Sequence, residues 1–105
     1  MLKIGKLYIC EEFFLLLYPD QETCAAAAFD RTAAVATAAF DRTAALATYW
    51  TRKLGKSVSY TDKNIPLLSL NNKEKYVEVL AGDRKGWIIV EDWLELKEIS
   101  NENIS

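Results

Sequence analysis

Residues 27–48 read AAFDRTAAVATAAFDRTAALAT: one eleven-residue unit written twice, with Val35 exchanged for Leu46 as the sole difference. Eleven steps of about 100° end within about 20° of three full turns, so an α-helix returns each copy to the same face. Around the duplication, Gln21 to Leu54 holds neither Gly nor Pro, and Ala dominates. Asp20, just after Pro19, can accept hydrogen bonds from the free amides of a helix start, and Glu22 faces the positive end of its dipole. Arg52 and Lys53 suit a last turn, and Gly55 can take the left-handed stop. The pattern predicts one helix over residues 21–54, roughly 34 residues and about 50 Å long.

On that helix Phe29, Ala36 and Phe40 fall near one line, and Val35, Leu46 and Trp50 continue the stripe to one side. A chain of 105 residues, half of them apolar, has room for one modest core, and a domain of that size is about 26 Å across. The helix is therefore too long for its own globule. Its stripe must fold back over the rest of the chain or pair with the same helix of a second molecule. The expectation is a homo-oligomer through Phe29, Val35, Ala36, Phe40, Leu46 and Trp50. The plain alternative is a tandem duplication that lengthens a helix without a use. In either case, deleting residues 27–48 should remove helical turns in phase and leave the remainder folded.

Outside the helix the character changes. LYIC, FFLLLY, SVSY, IPLLSL, YVEVLA, WIIV and LELKEI are short, rich in β-formers and separated by turn residues. NNKEK and AGDRKG are polar connections of hairpin length, which makes IPLLSL, YVEVLA and WIIV a consecutive antiparallel meander. Alternation in YVEVL and LELKEI predicts one buried and one wet face.

The run from residue 65 to 99 resembles the second half of a Src-homology-3-like barrel. In that family a strand, a hairpin, a Gly-aromatic-Ile segment, a single 3₁₀ turn carrying an aromatic, and a closing strand follow in order. Gly86, Trp87 and Ile88 match the Gly-aromatic-Ile segment. Glu91, Asp92, Trp93 and Leu94 match the turn and the entry to the last strand. The resemblance implies an α+β fold: a small antiparallel barrel with strands from residues 1–19 and 56–99. Its first strand would lie near Lys3 to Cys10, the helical insertion would occupy residues 20–55, and a tail 100–105 would complete a single domain. Members that hold proline-rich peptides use a Pro and a Tyr where this chain has Val90 and Trp93.

Aromatic residues are numerous for a small barrel, and flat apolar rings with hydroxyl tips suit peptide contact. Tyr8, Tyr60, Trp87, Asp92 and Trp93 are the candidate protein-binding groove, with Trp93 the best candidate for exposure. Thirteen Lys and Arg against fifteen Asp and Glu give a formal charge of −2, without the positive field that phosphate-backbone binding needs. That balance argues against a nucleic-acid partner, although similar small barrels serve translation and transcription, so a nucleic-acid-associated accessory protein is the second reading. Glu11 and Glu12 divide the first apolar stretch into runs too short for a signal or membrane segment, which points to a cytoplasmic protein without membrane contact.

Two cysteines, Cys10 and Cys24, make neither a disulfide framework nor, without any histidine, a zinc site. No Gly-rich phosphate loop, no nucleophile with a base in reach and no metal-ligand spacing is present. The expectation is a non-catalytic adaptor or accessory subunit with no cofactor, no metal and no catalytic residue. It acts through protein binding and self-association.

Overall fold

The computed structural model describes residues 2–30, 36–39 and 43–99. Two tight turns fold the C-terminal part into the expected meander of β5 (Leu67–Lys73), β6 (Tyr76–Ala81) and β7 (Arg84–Ile89). Lys73 pairs with Tyr76 and Ala81 with Arg84, so each connection is two residues long. Glu74 and Gly82 supply the positive φ values, 57° and 66°, that such turns demand. Along β6 buried and half-buried residues alternate, with Val77, Val79 and Ala81 inward.

The strand β1 (Leu7–Ile9) pairs antiparallel with β5 on one side and with β8 (Lys97–Ile99) on the other. This completes a five-stranded sheet of order β7-β6-β5-β1-β8. A second sheet is built on β2 (Phe14–Leu17), flanked by β3 (Ala38–Ala39) and β4 (Ser59–Thr61). The fold is mixed α+β with antiparallel sheets. The two sheets stay open rather than closing into the expected barrel.

A backbone bridge joins the two sheets. The Tyr18 N–H donates to the Trp87 carbonyl at 2.8 Å, and the Trp87 N–H donates back to the Tyr18 carbonyl at 2.7 Å. Gly86 permits this approach. A Cβ there would lie 2.5 Å from Leu17 Cγ and 2.8 Å from the Tyr18 carbonyl oxygen.

β2 is apolar at every position because both of its faces are covered. Leu15 and Leu17 pack with Val77, Val79 and Ile88 between the sheets. Leu16 and Tyr18 pack on the other side with Trp87, Ile89, Cys24, Ala27 and Trp50.

The last three of those residues belong to two helices, α1 (Gln21–Asp30) and α2 (Thr43–Leu54), and here the structure corrects the expected single helix over 21–54. Both predicted ends are in place. The Thr23 N–H and hydroxyl donate to Asp20 Oδ1 at 2.7 and 2.6 Å, capping α1. Gly55, at φ 69°, donates its N–H to the Thr51 carbonyl at 3.0 Å and closes α2.

The middle differs because β2 has an edge whose amides and carbonyls need partners, and Ala38 and Ala39 supply them opposite Leu15 and Phe14. The molecule measures 43 × 26 × 26 Å, shorter than the rod the single helix would make. Breaking the segment lets both helices lie on the sheets, which buries Ala36 and Trp50 of the expected stripe and leaves Phe29 exposed. Ala27, Ala36, Ala38 and Ala47 are all core residues, so deleting residues 27–48 would take four buried side chains out of the core.

Candidate functional site

Pairing β8 against β1 brings the chain start, the β5–β6 turn and residues 90–98 around one cleft of about 590 Å³. Its apolar lining comes from Tyr8, Val77 and Leu94, which are buried, and from Leu2, Val90 and Leu96, which are half-buried. Alternation explains the leucines: residues 94 and 96 stand on the same face of an extended segment, and Glu95 faces away. The Leu94 N–H donates to the Glu91 carbonyl at 3.0 Å, forming the single turn that carries Glu91, Asp92 and Trp93 into position. Tyr8 is fixed from below, its hydroxyl accepting the Lys3 N–H at 2.8 Å.

The remaining lining is charged, with four carboxylates (Glu74, Glu91, Asp92 and Glu98) against two lysines (Lys3 and Lys75). Lys75 Nζ donates to Glu91 Oε1 at 2.9 Å, and that bond raises the lysine pKa above its ordinary value. The other three carboxylates outnumber the remaining Lys3. The cleft thus combines an apolar interior with a rim of negative excess.

The structure distributes the five predicted groove residues over several places. Tyr8 and Asp92 share the cleft just described. Trp87 is buried on the opposite side of its strand, in the cluster with the helices, and does not face the cleft. Tyr60 lines a separate recess of about 350 Å³ with Leu17, Ile65 and Arg84. Trp93 is 44% exposed and stands edge-on to Phe13, ring centres 5.5 Å apart.

The predicted helix face is divided as well. Phe29 is 96% exposed, whereas Ala36 and Trp50 are completely buried in the molecule's own core, and half-buried Leu46 packs against that core. Val35 and Phe40 lie outside the described residues. Among the described residues the expected ridge is divided, with Phe29 on α1 and Leu46 and Trp50 on α2.

Sequence reasoning missed Leu2, Glu74, Lys75, Leu96 and Glu98 as neighbours. The alternation in LELKEI was a usable signal for Leu94 and Leu96. The pairing of the last strand with the first, which brings the rest together, has no local signature.

Both cysteines are buried and free. Burial, reinforced by the Asp20 charge, pushes the Cys24 thiol far above its ordinary pKa and outweighs an opposing pull from Lys75. Cys24 is thereby a protonated packing group. Burial also raises the Tyr18 hydroxyl, which stays neutral and donates to the Ala36 carbonyl. Among the described residues no group of three or more Cys, Asp or Glu is placed to hold a metal ion, and no helix is long and apolar enough to cross a membrane.

The chain matches no protein-family model, no curated protein and no solved structure. A functional reading therefore rests on this geometry.

Proposed function

We propose that the protein is a non-catalytic interaction module on a Src-homology-3-like framework, and that its cleft holds a segment of a protein partner. The framework reading is supported by element order. β5, β6, β7, a single turn at Glu91–Leu94 and β8 follow as that family's second half does, with Gly86, Trp87 and Ile88 on β7. The closing strand lies beside β1, and the helices fall between β1 and β5. The observation that carries the binding reading is the cleft's apolar interior within a charged rim, the usual anatomy of a protein-interaction patch. The carboxylate excess selects a segment with a Lys or Arg beside an aliphatic residue.

Selection of displayed peptides against the full chain tests this. Binders should be enriched in Lys or Arg next to an aliphatic residue and should shift the amide resonances of Tyr8, Leu94 and Glu98. Asp92→Lys and Glu98→Lys change exposed rim residues and should weaken those binders at least about tenfold. An absence of binders, or shifts centred on another surface, would remove the proposal.

A further inference from the structure

Phe29 places a whole phenyl ring in water, at 96% exposure. The residues one turn back on α1 are Ala25 and Ala26, too small to shield it. Glu22, Ala26 and Phe29 are all exposed and, at spacings of four and three, form one outward strip of α1.

Next to Phe29, Asp30 Oδ2 meets Lys53 Nζ at 3.2 Å, which ties the end of α1 to the last turn of α2. The outward side of α2 carries a shallow hollow of about 400 Å³ lined by Ala45, Thr48, Tyr49, Arg52 and Lys53. Residues 45, 48, 49 and 52 have the spacing of a single helix face. Ala45 and Thr48 leave depth beside the Tyr49 ring, and Arg52 and Lys53 make one end cationic.

The knob and the hollow are thus close along the surface, linked through the Asp30–Lys53 pair that joins the residue after Phe29 to one wall of the hollow. A surface that carries both a feature and its complement meets the condition for a two-fold contact, in which each copy gives and receives the same group. We propose that a second copy of this chain fills the hollow, the Phe29 ring of each protomer entering between Ala45, Thr48 and Tyr49 of the other. Laid antiparallel, the strip Glu22–Ala26–Phe29 sets Phe29 at Ala45 and Thr48 and brings Glu22 to the partner's Arg52. Charge complementarity therefore favours the same register as the apolar fit. The contact uses a different surface from the cleft, so either proposal can fail without the other.

Sedimentation velocity of the full chain over a concentration series tests the dimer. Wild type should pass from monomer to dimer as concentration rises. Phe29→Ala removes an exposed ring and leaves a better helix former, so circular dichroism should be unchanged. Its dimer should weaken about 100-fold, because two rings are lost per dimer. Ala45→Arg fills the hollow without touching Phe29 and should do the same. Glu22→Lys should weaken the dimer less, and adding Arg52→Glu should restore it. A wild type that stays monomeric throughout, or a dimer that Phe29→Ala and Ala45→Arg leave unmoved, would overturn the proposal. So would a dimer abolished by Asp92→Lys, which would place the contact at the cleft.

Discussion

Ala27–Ala28 and Ala38–Ala39 open the two copies of one eleven-residue unit, yet the first pair lies in helix α1 and the second in strand β3. Intrinsic preference cannot distinguish identical dipeptides followed by identical Phe-Asp-Arg-Thr. The difference comes from position along the chain. Ala27 belongs to the helix that Asp20 caps and packs with Cys24 and Trp50. Ala38 arrives at the open edge of β2 and packs between the sheets with Leu15 and Leu17. Helix propensity is worth a fraction of a kcal/mol per residue, which a strand's unpaired backbone groups and a place in the core outweigh. The two helices also differ in what becomes of an aromatic residue. Phe29, in the first copy, is left in water, whereas Trp50, two residues beyond the second copy, is completely enclosed.

Exchanging those two aromatics for alanine should break the symmetry most strongly. Trp50→Ala empties the centre of the helix-side core and should cost about 3–5 kcal/mol in urea unfolding. Phe29→Ala, measured at a concentration where the chain is monomeric, should stay within about 0.5 kcal/mol. Gly86→Ala attacks the second copy at one remove, by pushing Leu17 and the Tyr18 carbonyl away from β7. It should cost about 1–3 kcal/mol, and amide exchange should accelerate at Ala38 and Ala39 more than at Ala27 and Ala28.

Asp20→Ala attacks the first copy instead, since it removes the cap of α1, and should cost about 1 kcal/mol. The Thr23 side chain and backbone N–H hold the Asp20 carboxyl below its ordinary 3.8, with a smaller pull from Lys56. Because the folded-state pKa is lowered, the carboxylate's stabilisation is complete above the unfolded value and is lost as pH falls through the folded one. Wild type and Asp20→Ala should accordingly differ more in urea midpoint at about pH 7 than at about pH 3. The smallest effect is the most specific. Ala28→Val should destabilise by about 0.5 kcal/mol, whereas Ala39→Val, at the equivalent place in a strand, should be neutral or stabilising. Equal effects at both sites would mean that the two copies share one conformation.

Strand positions were legible wherever short apolar runs stood between turn residues. LYIC and YVEVLA each contain an observed strand whole, and the two tight turns lie inside the predicted connections, but WIIV holds only the second half of β7, whose first half, residues 84–86, falls in the stretch expected to be a connection. The fault lay in treating a Gly- and Pro-free interval as continuous. Absence of a breaker permits a helix to run on, but a neighbouring strand edge can still claim two of its residues. Of the candidate groove, Tyr8 and Asp92 share a cleft, because one is the inward position of the first strand and the other tops the turn before the last. Trp87 was misplaced because β7 is covered on both faces, and no alternation then tells which side a ring takes.

By itself the sequence determined where helical structure begins and ends, at Asp20 and Gly55, and which segments extend. Caps, stops and tight turns act within a few residues and carry their energetics locally. Tertiary structure alone decided that Ala38 and Ala39 leave the helix, that Trp50 turns inward while Phe29 faces water, and that the last strand joins the first to form the cleft. Each of those outcomes depends on a hydrogen-bonding edge or a cavity supplied by residues distant in the chain, and an identical local sequence cannot encode which one it will meet.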